Sequence, residues 1–132
     1  NVYVVAFAAT LSSIIYLKKL LQNIKASMFL SLDTFNQWKL EGKDFMLIDV
    51  REDYEVALCH IGGKHIPLDQ VIHNFQSFPT DKPLIFHCNS GKRSDALVYF
   101  LEHKFNLHNL YSLEGGVQGY AEKFDSSLKC AL

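Results

Sequence analysis

One cysteine of this sequence stands at the head of a loop suited to nucleophilic chemistry. Cys88 closes the apolar run of residues 83–88, and it is followed directly by Asn89, Ser90, Gly91, Lys92, Arg93 and Ser94. The reactive form of cysteine is the thiolate, which nearby cations and converging backbone N–H groups stabilise. Gly91 lets such a loop turn tightly, because glycine has no Cβ. The stretch therefore predicts Cys88 as a nucleophile in a loop that can also bind an anion.

Strand and helix patterns alternate on both sides of this loop. The predicted strands are residues 28–30, 45–50, 83–88 and 109–113, with a short extended piece at 63–68. The predicted helices are residues 31–40, 53–58, 68–75, 94–105 and 114–124. The alternation predicts an α/β fold with a mostly parallel sheet of about five strands and helices on both faces. Residues 88–93 then form a strand-to-helix turn at the carboxyl edge of the sheet, where open parallel sheets bind ligands.

Size and charge limit the classes of function. The chain has 132 residues, 48% of them hydrophobic, which suits one compact domain. Thirteen basic and 14 acidic residues give a net charge of −1, so no overall field favours nucleic acid as a partner. Any anion site must be local.

The three cysteines are an odd number and lie far apart in the sequence. Cys59, Cys88 and Cys130 form no CxxC pair, and the histidines show no metal-ligand spacing, so we predict neither a metal site nor a disulfide framework. This cysteine usage favours a reducing, cytoplasmic location. We interpret Cys59, beside His60, as structural, and Cys130 as either a resolving thiol or a bystander in a polar tail.

Residues 1–27 form an apolar segment outside the predicted domain of residues 28–132. Its apolar run ends at Leu17, where Lys18 and Lys19 follow, and this length is borderline for a membrane span. Two interpretations stay open. The segment is either a membrane anchor, with the lysines placing the rest in the cytoplasm, or an extra helix packed on a protein domain.

Three motifs in this order resemble the rhodanese (thiosulfate sulfurtransferase) domain. They are IDVRE at 48–52 followed by CHIGGKHIPL at 59–68, then HCNSGKRS at 87–94, and LEGGVQGYAEKF at 113–124. The resemblance covers about residues 28–124. It is greatest to the C-terminal rhodanese domains of adenylyltransferases that activate sulfur-carrier proteins.

The resemblance implies a single rhodanese-like domain that acts as a sulfurtransferase and needs no cofactor. Cys88 would take sulfur from a small anionic donor such as thiosulfate and pass it to a thiol, cyanide or a sulfur-carrier protein. Asp49 and Arg51 would support the active loop, Arg93 would turn inward to brace it, and Lys92 would bind the donor anion. Many relatives have arginine where this chain has Asn89, which leaves fewer positive groups for an anionic donor.

Three other interpretations compete with catalysis of sulfur transfer. Cys88 could be a small buried residue at a strand end, but that role does not explain the glycine, the cations and the hydroxyl that follow it. The domain could be a non-catalytic docking or carrier module for a sulfur-relay partner. It could also be a phosphatase or arsenate reductase, although the related phosphatases use a loop one residue longer. The six-residue loop favours a single sulfur atom over a tetrahedral phosphate.

Overall fold

A computed structural model describes the backbone of residues 2–130 and the side chains of residues 10–23 and 28–130. This part of the chain contains six α-helices, five strands and a short 3₁₀ turn at Phe75–Ser77. The elements in order are α1 Val2–Met28, β1 Phe29–Leu30, α2 Leu32–Leu40, β2 Met46–Asp49, α3 Asp53–Leu58, β3 Lys64–His65, α4 Leu68–Asn74, β4 Leu84–His87, α5 Lys92–Phe105, β5 Leu110–Leu113 and α6 Gly116–Phe124.

The five strands form one parallel sheet in the order β1-β5-β4-β2-β3. The strand that leads to Cys88, β4, is central and pairs with both β2 and β5. All four of its residues are buried, as its uninterrupted apolar sequence predicts for a strand covered on both faces. The predicted α/β fold class, with about five mostly parallel strands, is confirmed.

Helices cover both faces of the sheet and divide the core in two. Successive residues of β4 point to opposite faces, so Phe86 joins one apolar cluster and Ile85 the other. The first cluster includes Val71 of α4 and Leu101 of α5. The second includes Phe35 of α2, and Tyr120 of α6 packs against it. The loop of residues 88–94 therefore begins at the end of a strand that is packed on both faces.

The N-terminal segment continues as a helix up to the edge of the sheet. Helix α1 lies against β1, β5 and α5, and Met28 at its end is 4% exposed within the core. The strand predicted from residue 28 therefore begins one residue later. Within the described residues, no helix combines the length and the apolar character needed to cross a membrane.

Two of the three cysteines are joined, contrary to the prediction from their number and spacing. Cys59 and Cys130 form a disulfide with a Cα–Cα distance of 5.2 Å, although 71 residues separate them. The chain after α6 returns to the end of α3, a long-range contact that residue spacing does not reveal. The inference of a reducing location, which rested on the cysteine count, loses its basis. Cys88 is the remaining cysteine and is free.

Candidate active site

Cys88 lies directly after β4, where the chain leaves the sheet. Cys88 is 1% exposed, so its thiol is buried just below the surface. Helix α5 begins at Lys92, two residues earlier than the Ser94 start predicted from the sequence. The reason is Gly91, the N-cap, whose φ of 103° lies in a region that glycine adopts readily. The turn between strand and helix is therefore tighter than predicted.

Two groups approach the Cys88 sulfur from its own loop. The Gly91 N–H donates a hydrogen bond to Sγ over 3.1 Å, and the Ser94 Oγ lies 3.7 Å from Sγ. Ser94 is completely buried. The start of the 14-residue helix α5 adds its partial positive charge to this position. The surroundings thus favour negative charge on the sulfur or on an atom attached to it.

A chain of hydroxyl groups extends from Ser94 to the next strand. The Ser112 Oγ lies 2.7 Å from the Ser94 Oγ and 2.6 Å from Oδ1 of Asp95. Ser94 in turn donates to the backbone oxygen of Gly91 over 3.1 Å. Sequence reasoning missed Ser112 and Asp95, although a serine inside the apolar run of β5 is a signal that could have drawn attention to them.

The N-terminus of α6 holds the loop from the other side. The backbone N–H of Val117 donates to the backbone oxygen of Cys88 over 2.9 Å, and that of Gln118 donates to the backbone oxygen of Asn89 over 3.0 Å. A Cβ on Gly116 would lie 2.5 Å from the Cys88 oxygen. The third motif therefore belongs to the site, since its glycine lets α6 approach the loop backbone this closely.

Arg93 connects the loop to α3 through Glu55. Two guanidinium N–H groups of Arg93 donate to the two carboxylate oxygens of Glu55, each over 2.7 Å. These hydrogen bonds lower the pKa of Glu55 and raise the pKa of Arg93. Arg93 was predicted to brace the loop, and the structure shows the partner, Glu55, that sequence reasoning did not single out.

Arg51 is a buried cation at the end of β2. It is 1% exposed, and its Nε and Nη2 donate to the carboxylate of Asp49. Nη1 donates to the backbone oxygen of Glu55 over 3.3 Å, and Nη2 donates to the backbone oxygen of Cys59 over 2.7 Å. Burial would raise the pKa of Asp49, but the hydrogen bonds and charge of Arg51 outweigh it and the net shift is downward. The pair therefore fixes α3, and through α3 it positions Glu55 and Arg93.

His87 is the buried neighbour of the nucleophile. Neither ring nitrogen has a hydrogen-bond partner among the described residues, and Nε2 lies 3.9 Å from Oδ2 of Asp49. Burial lowers the pKa of His87 to about 4, so the ring is neutral at pH 7. His87 is thus a buried core residue, and no hydrogen bond joins its ring to the Cys88 sulfur.

The outer rim of the loop carries the groups that a ligand meets first. Ser90 and Lys92 are exposed and Asn89 is half-buried. Lys92 makes no ion pair with any described residue, in contrast to Arg93. Among the described residues, no cluster of three or more His, Cys, Asp or Glu side chains could hold a metal ion.

Comparison with known proteins places this geometry in a family. The family model for the rhodanese-like domain matches residues 31–123. The adenylyltransferase and sulfurtransferase MOCS3 of Drosophila willistoni is 27% identical over 114 residues, which are 80% of this chain and 25% of that protein. The Bacillus subtilis protein YqhL is 36% identical over 78 residues, or 58% of this chain and 61% of that protein. The chain thus spans a quarter to about three fifths of the length of these relatives.

Solved structures show the same fold. The rhodanese-like domain protein of Staphylococcus aureus superimposes with a TM-score of 0.65 at 29% identity, covering 80% of this chain and 99% of that one. A rhodanese-related protein of Thermoplasma volcanium gives a TM-score of 0.63 at 26% identity, covering 74% and 93%.

Proposed function

Because this chain belongs to the rhodanese-like domain family, we propose that it is a sulfurtransferase that carries sulfane sulfur as a persulfide on Cys88. Membership relates the chain to sulfurtransferase families. One observation carries the proposal for this chain. The Gly91 N–H donates a hydrogen bond to the sulfur of Cys88, a free cysteine close to the start of α5.

The reaction proceeds in two displacements. The Cys88 thiolate attacks the outer sulfur of thiosulfate, a Cys–S–S bond forms, and the donor S–S bond breaks as sulfite leaves with the electron pair. A nucleophilic acceptor, which is a thiol, cyanide or a sulfur-carrier protein, then attacks the outer sulfur and restores the thiolate. The Gly91 amide and the helix start favour the negative charge in both states.

The charges on the loop suit a small anionic donor. Arg93 is occupied by Glu55, so its role is to position the loop. Lys92 is exposed and remains the loop cation for the donor, while Asn89 adds no charge. The site therefore offers one positive side chain to a donor such as thiosulfate, besides the Gly91 amide.

Mass spectrometry of the protein after exposure to thiosulfate tests the proposal. We expect a mass increase of one sulfur atom on the peptide that contains Cys88, and its loss after addition of cyanide. The Cys88→Ser variant should show neither sulfur loading nor thiocyanate formation. Undiminished transfer by Cys88→Ser would overturn the proposal, and hydrolysis of an aryl phosphate that depends on Cys88 would instead support the phosphatase interpretation.

A further inference from the structure

The Cys59–Cys130 disulfide lies beside the site, yet the proposed transfer reaction does not use it. Cys59 follows the last residue of α3, and its backbone oxygen accepts a hydrogen bond from Arg51 over 2.7 Å. Its sulfur lies 3.9 Å from Nη1 of the same guanidinium. The disulfide therefore contacts Arg51, the buried arginine that fixes α3 and Glu55.

The other end of the disulfide holds the C-terminal tail, residues 125–130. The tail folds back along α6, because one cavity of about 400 Å³ is lined both by Gln118 near the start of α6 and by Leu128 and Cys130 of the tail. The N–H of Gln118 is bonded to Asn89 of the active loop. The tail therefore lies along α6, the helix whose first turn is hydrogen-bonded to the Cys88 loop.

Few other bonds hold this tail. Among the described residues, the hydrogen bonds of Ser127 and Leu128 go to Asp125, within the tail itself. Ser126, Ser127 and Lys129 are exposed. The Asp125 N–H also donates to the Ala121 oxygen of α6 over 3.1 Å, so the start of the tail is held by this bond and its far end by the disulfide.

We propose that the Cys59–Cys130 disulfide is a site for a dithiol reductant, and that its reduction releases the tail and opens the rim around Cys88. The two sulfurs differ in a way that suits directed exchange. Cys130 is half-buried, whereas Cys59 is 7% exposed and faces Arg51. An incoming thiolate reaches the Cys130 sulfur more easily, and the guanidinium stabilises Cys59 as the leaving thiolate.

The exchange balances as follows. A thiolate of the reductant bonds to the Cys130 sulfur, the Cys59–Cys130 bond breaks, and Cys59 leaves with the electron pair. The second thiol of the reductant then attacks the mixed disulfide and releases Cys130. The protein disulfide is reduced to two thiols, and the dithiol is oxidised to its own disulfide.

The first test uses Cys88→Ser, so that Cys59 and Cys130 are the only cysteines. Purified without reductant and then denatured, this variant should show no free thiol, and after native treatment with dithiothreitol it should show two. Hydrogen exchange of residues 125–130 should then accelerate by about tenfold, because the tail no longer has a fixed partner. Peptides of α4, which packs in the apolar cluster on the opposite face of the sheet, should not change.

Two results of this first test would overturn the proposal. One is a disulfide that native dithiothreitol does not reduce. The other is reduction without faster exchange in the tail.

The second test measures access to Cys88 and rests on the proposed function. Persulfide-loaded Cys130→Ser is compared with wild type, with Ser127→Ala as a control that leaves the disulfide intact. Transfer to a ubiquitin variant with a single surface cysteine should rise by about tenfold, as expected if the tethered tail covers the rim in about nine molecules of ten. Transfer to cyanide, which is small, should stay within about twofold.

Equal rates for the protein thiol in Cys130→Ser and wild type would refute the control of access. If no variant loads sulfur, the proposed function fails, while thiol counting and hydrogen exchange in Cys88→Ser still decide whether the disulfide releases the tail.

Discussion

Glu55 fixes the position of Arg93 in the Cys88 loop. Arg93 is one of the two cations of this loop, and both of its short hydrogen bonds go to the Glu55 carboxylate. Glu55 itself is held by α3, whose backbone accepts hydrogen bonds from the buried Arg51. A buried guanidinium thus positions an acid, and that acid positions the loop.

Replacing Glu55 with glutamine tests this arrangement. Glu55→Gln keeps the shape of the side chain but removes the charge, so Arg93 loses its fixed position. We expect kcat/KM for sulfur transfer to fall by roughly tenfold to a hundredfold, because loop geometry sets the rate. Steady-state kinetics with thiosulfate measure it. The matched control is Asp53→Asn on the same helix, whose carboxylate is 94% exposed; equal losses in the two variants would contradict the role of Glu55.

His87 links stability to pH. Its pKa is about 4 in the folded protein against 6.5 for an ordinary histidine, because burial disfavours the charged ring. Between these values the unfolded chain binds a proton that the folded protein does not. The free energy of unfolding therefore falls as pH drops from 6.5 towards 4, and the full contribution is present above pH 6.5.

The expected slope from this histidine is about 1.4 kcal/mol per pH unit, or roughly 3 kcal/mol across the interval. Urea unfolding at several pH values within it should show a shallower dependence for His87→Leu than for wild type. Replacement of the exposed His73 by glutamine should leave the slope unchanged. A variant His87→Leu with the wild-type slope would show that His87 is not the group responsible.

At the scale of elements, two helix starts meet at the same loop. Helix α5 begins within the loop, and α6 begins against its backbone through the amides of Val117 and Gln118. The contact is close enough that only glycine fits at residue 116, where φ is 59°. The loop is therefore held between α5 and α6 rather than by its own sequence alone.

Gly116→Ala should damage both stability and transfer. Its Cβ would lie 2.5 Å from the Cys88 oxygen and 2.6 Å from the Asn89 oxygen, so the loop or α6 must shift. We expect a loss of roughly 3 kcal/mol in the free energy of unfolding, measured in urea. Gly42→Ala separates strain from collision, since φ is 68° there with nothing within 4 Å, and should cost only about 1 kcal/mol. Similar costs at the two positions would argue against the collision.

The elements themselves were largely predictable from the sequence. Apolar runs identified β2, β4 and β5, and the helix predicted over residues 31–40 is α2, with Ser31 as its N-cap, whose Oγ accepts the Thr34 N–H over 3.1 Å. The predicted start of α5 was wrong by two residues, because a tight turn at Gly91 was expected within the loop, whereas Gly91 is the N-cap and the helix begins directly after it.

At the scale of the whole molecule, the sequence predicted what local patterns determine and missed what distant contacts determine. Cys88 and its loop follow from one contiguous stretch. Glu55 and Arg93 are 38 residues apart, and the cysteines of the disulfide are 71 apart, so only the folded chain brings them together. The pairing of β4 with β2 brings the Cys88 loop next to α3, which accounts for the contact between Glu55 and Arg93.

The disulfide should also stabilise the whole fold. It closes a covalent ring that contains every element from β3 to α6, with a separation of 71 residues that lowers the entropy of the unfolded chain. Cys130→Ser should therefore lower the free energy of unfolding by about 4 kcal/mol in urea without reductant. Wild type unfolded in the presence of dithiothreitol should lose the same amount. A variant as stable as the oxidised wild type would show that the ring contributes nothing.

The hydroxyl chain beside Cys88 contains fewer hydrogens than contacts. Ser94 and Ser112 each supply one hydrogen, yet four contacts link them to the Cys88 sulfur, the Gly91 oxygen, the Asp95 carboxylate and each other. If Ser112 donates to Asp95, the single hydrogen of Ser94 is left for either the Gly91 oxygen or the Ser112 oxygen, and in both positions it is not directed at the sulfur. A negatively charged sulfur instead attracts that hydrogen. In the proposed cycle the negative charge lies on the Cys88 sulfur in the thiolate and on the outer sulfur in the persulfide, so we expect the Ser94 hydroxyl to rotate between these two states.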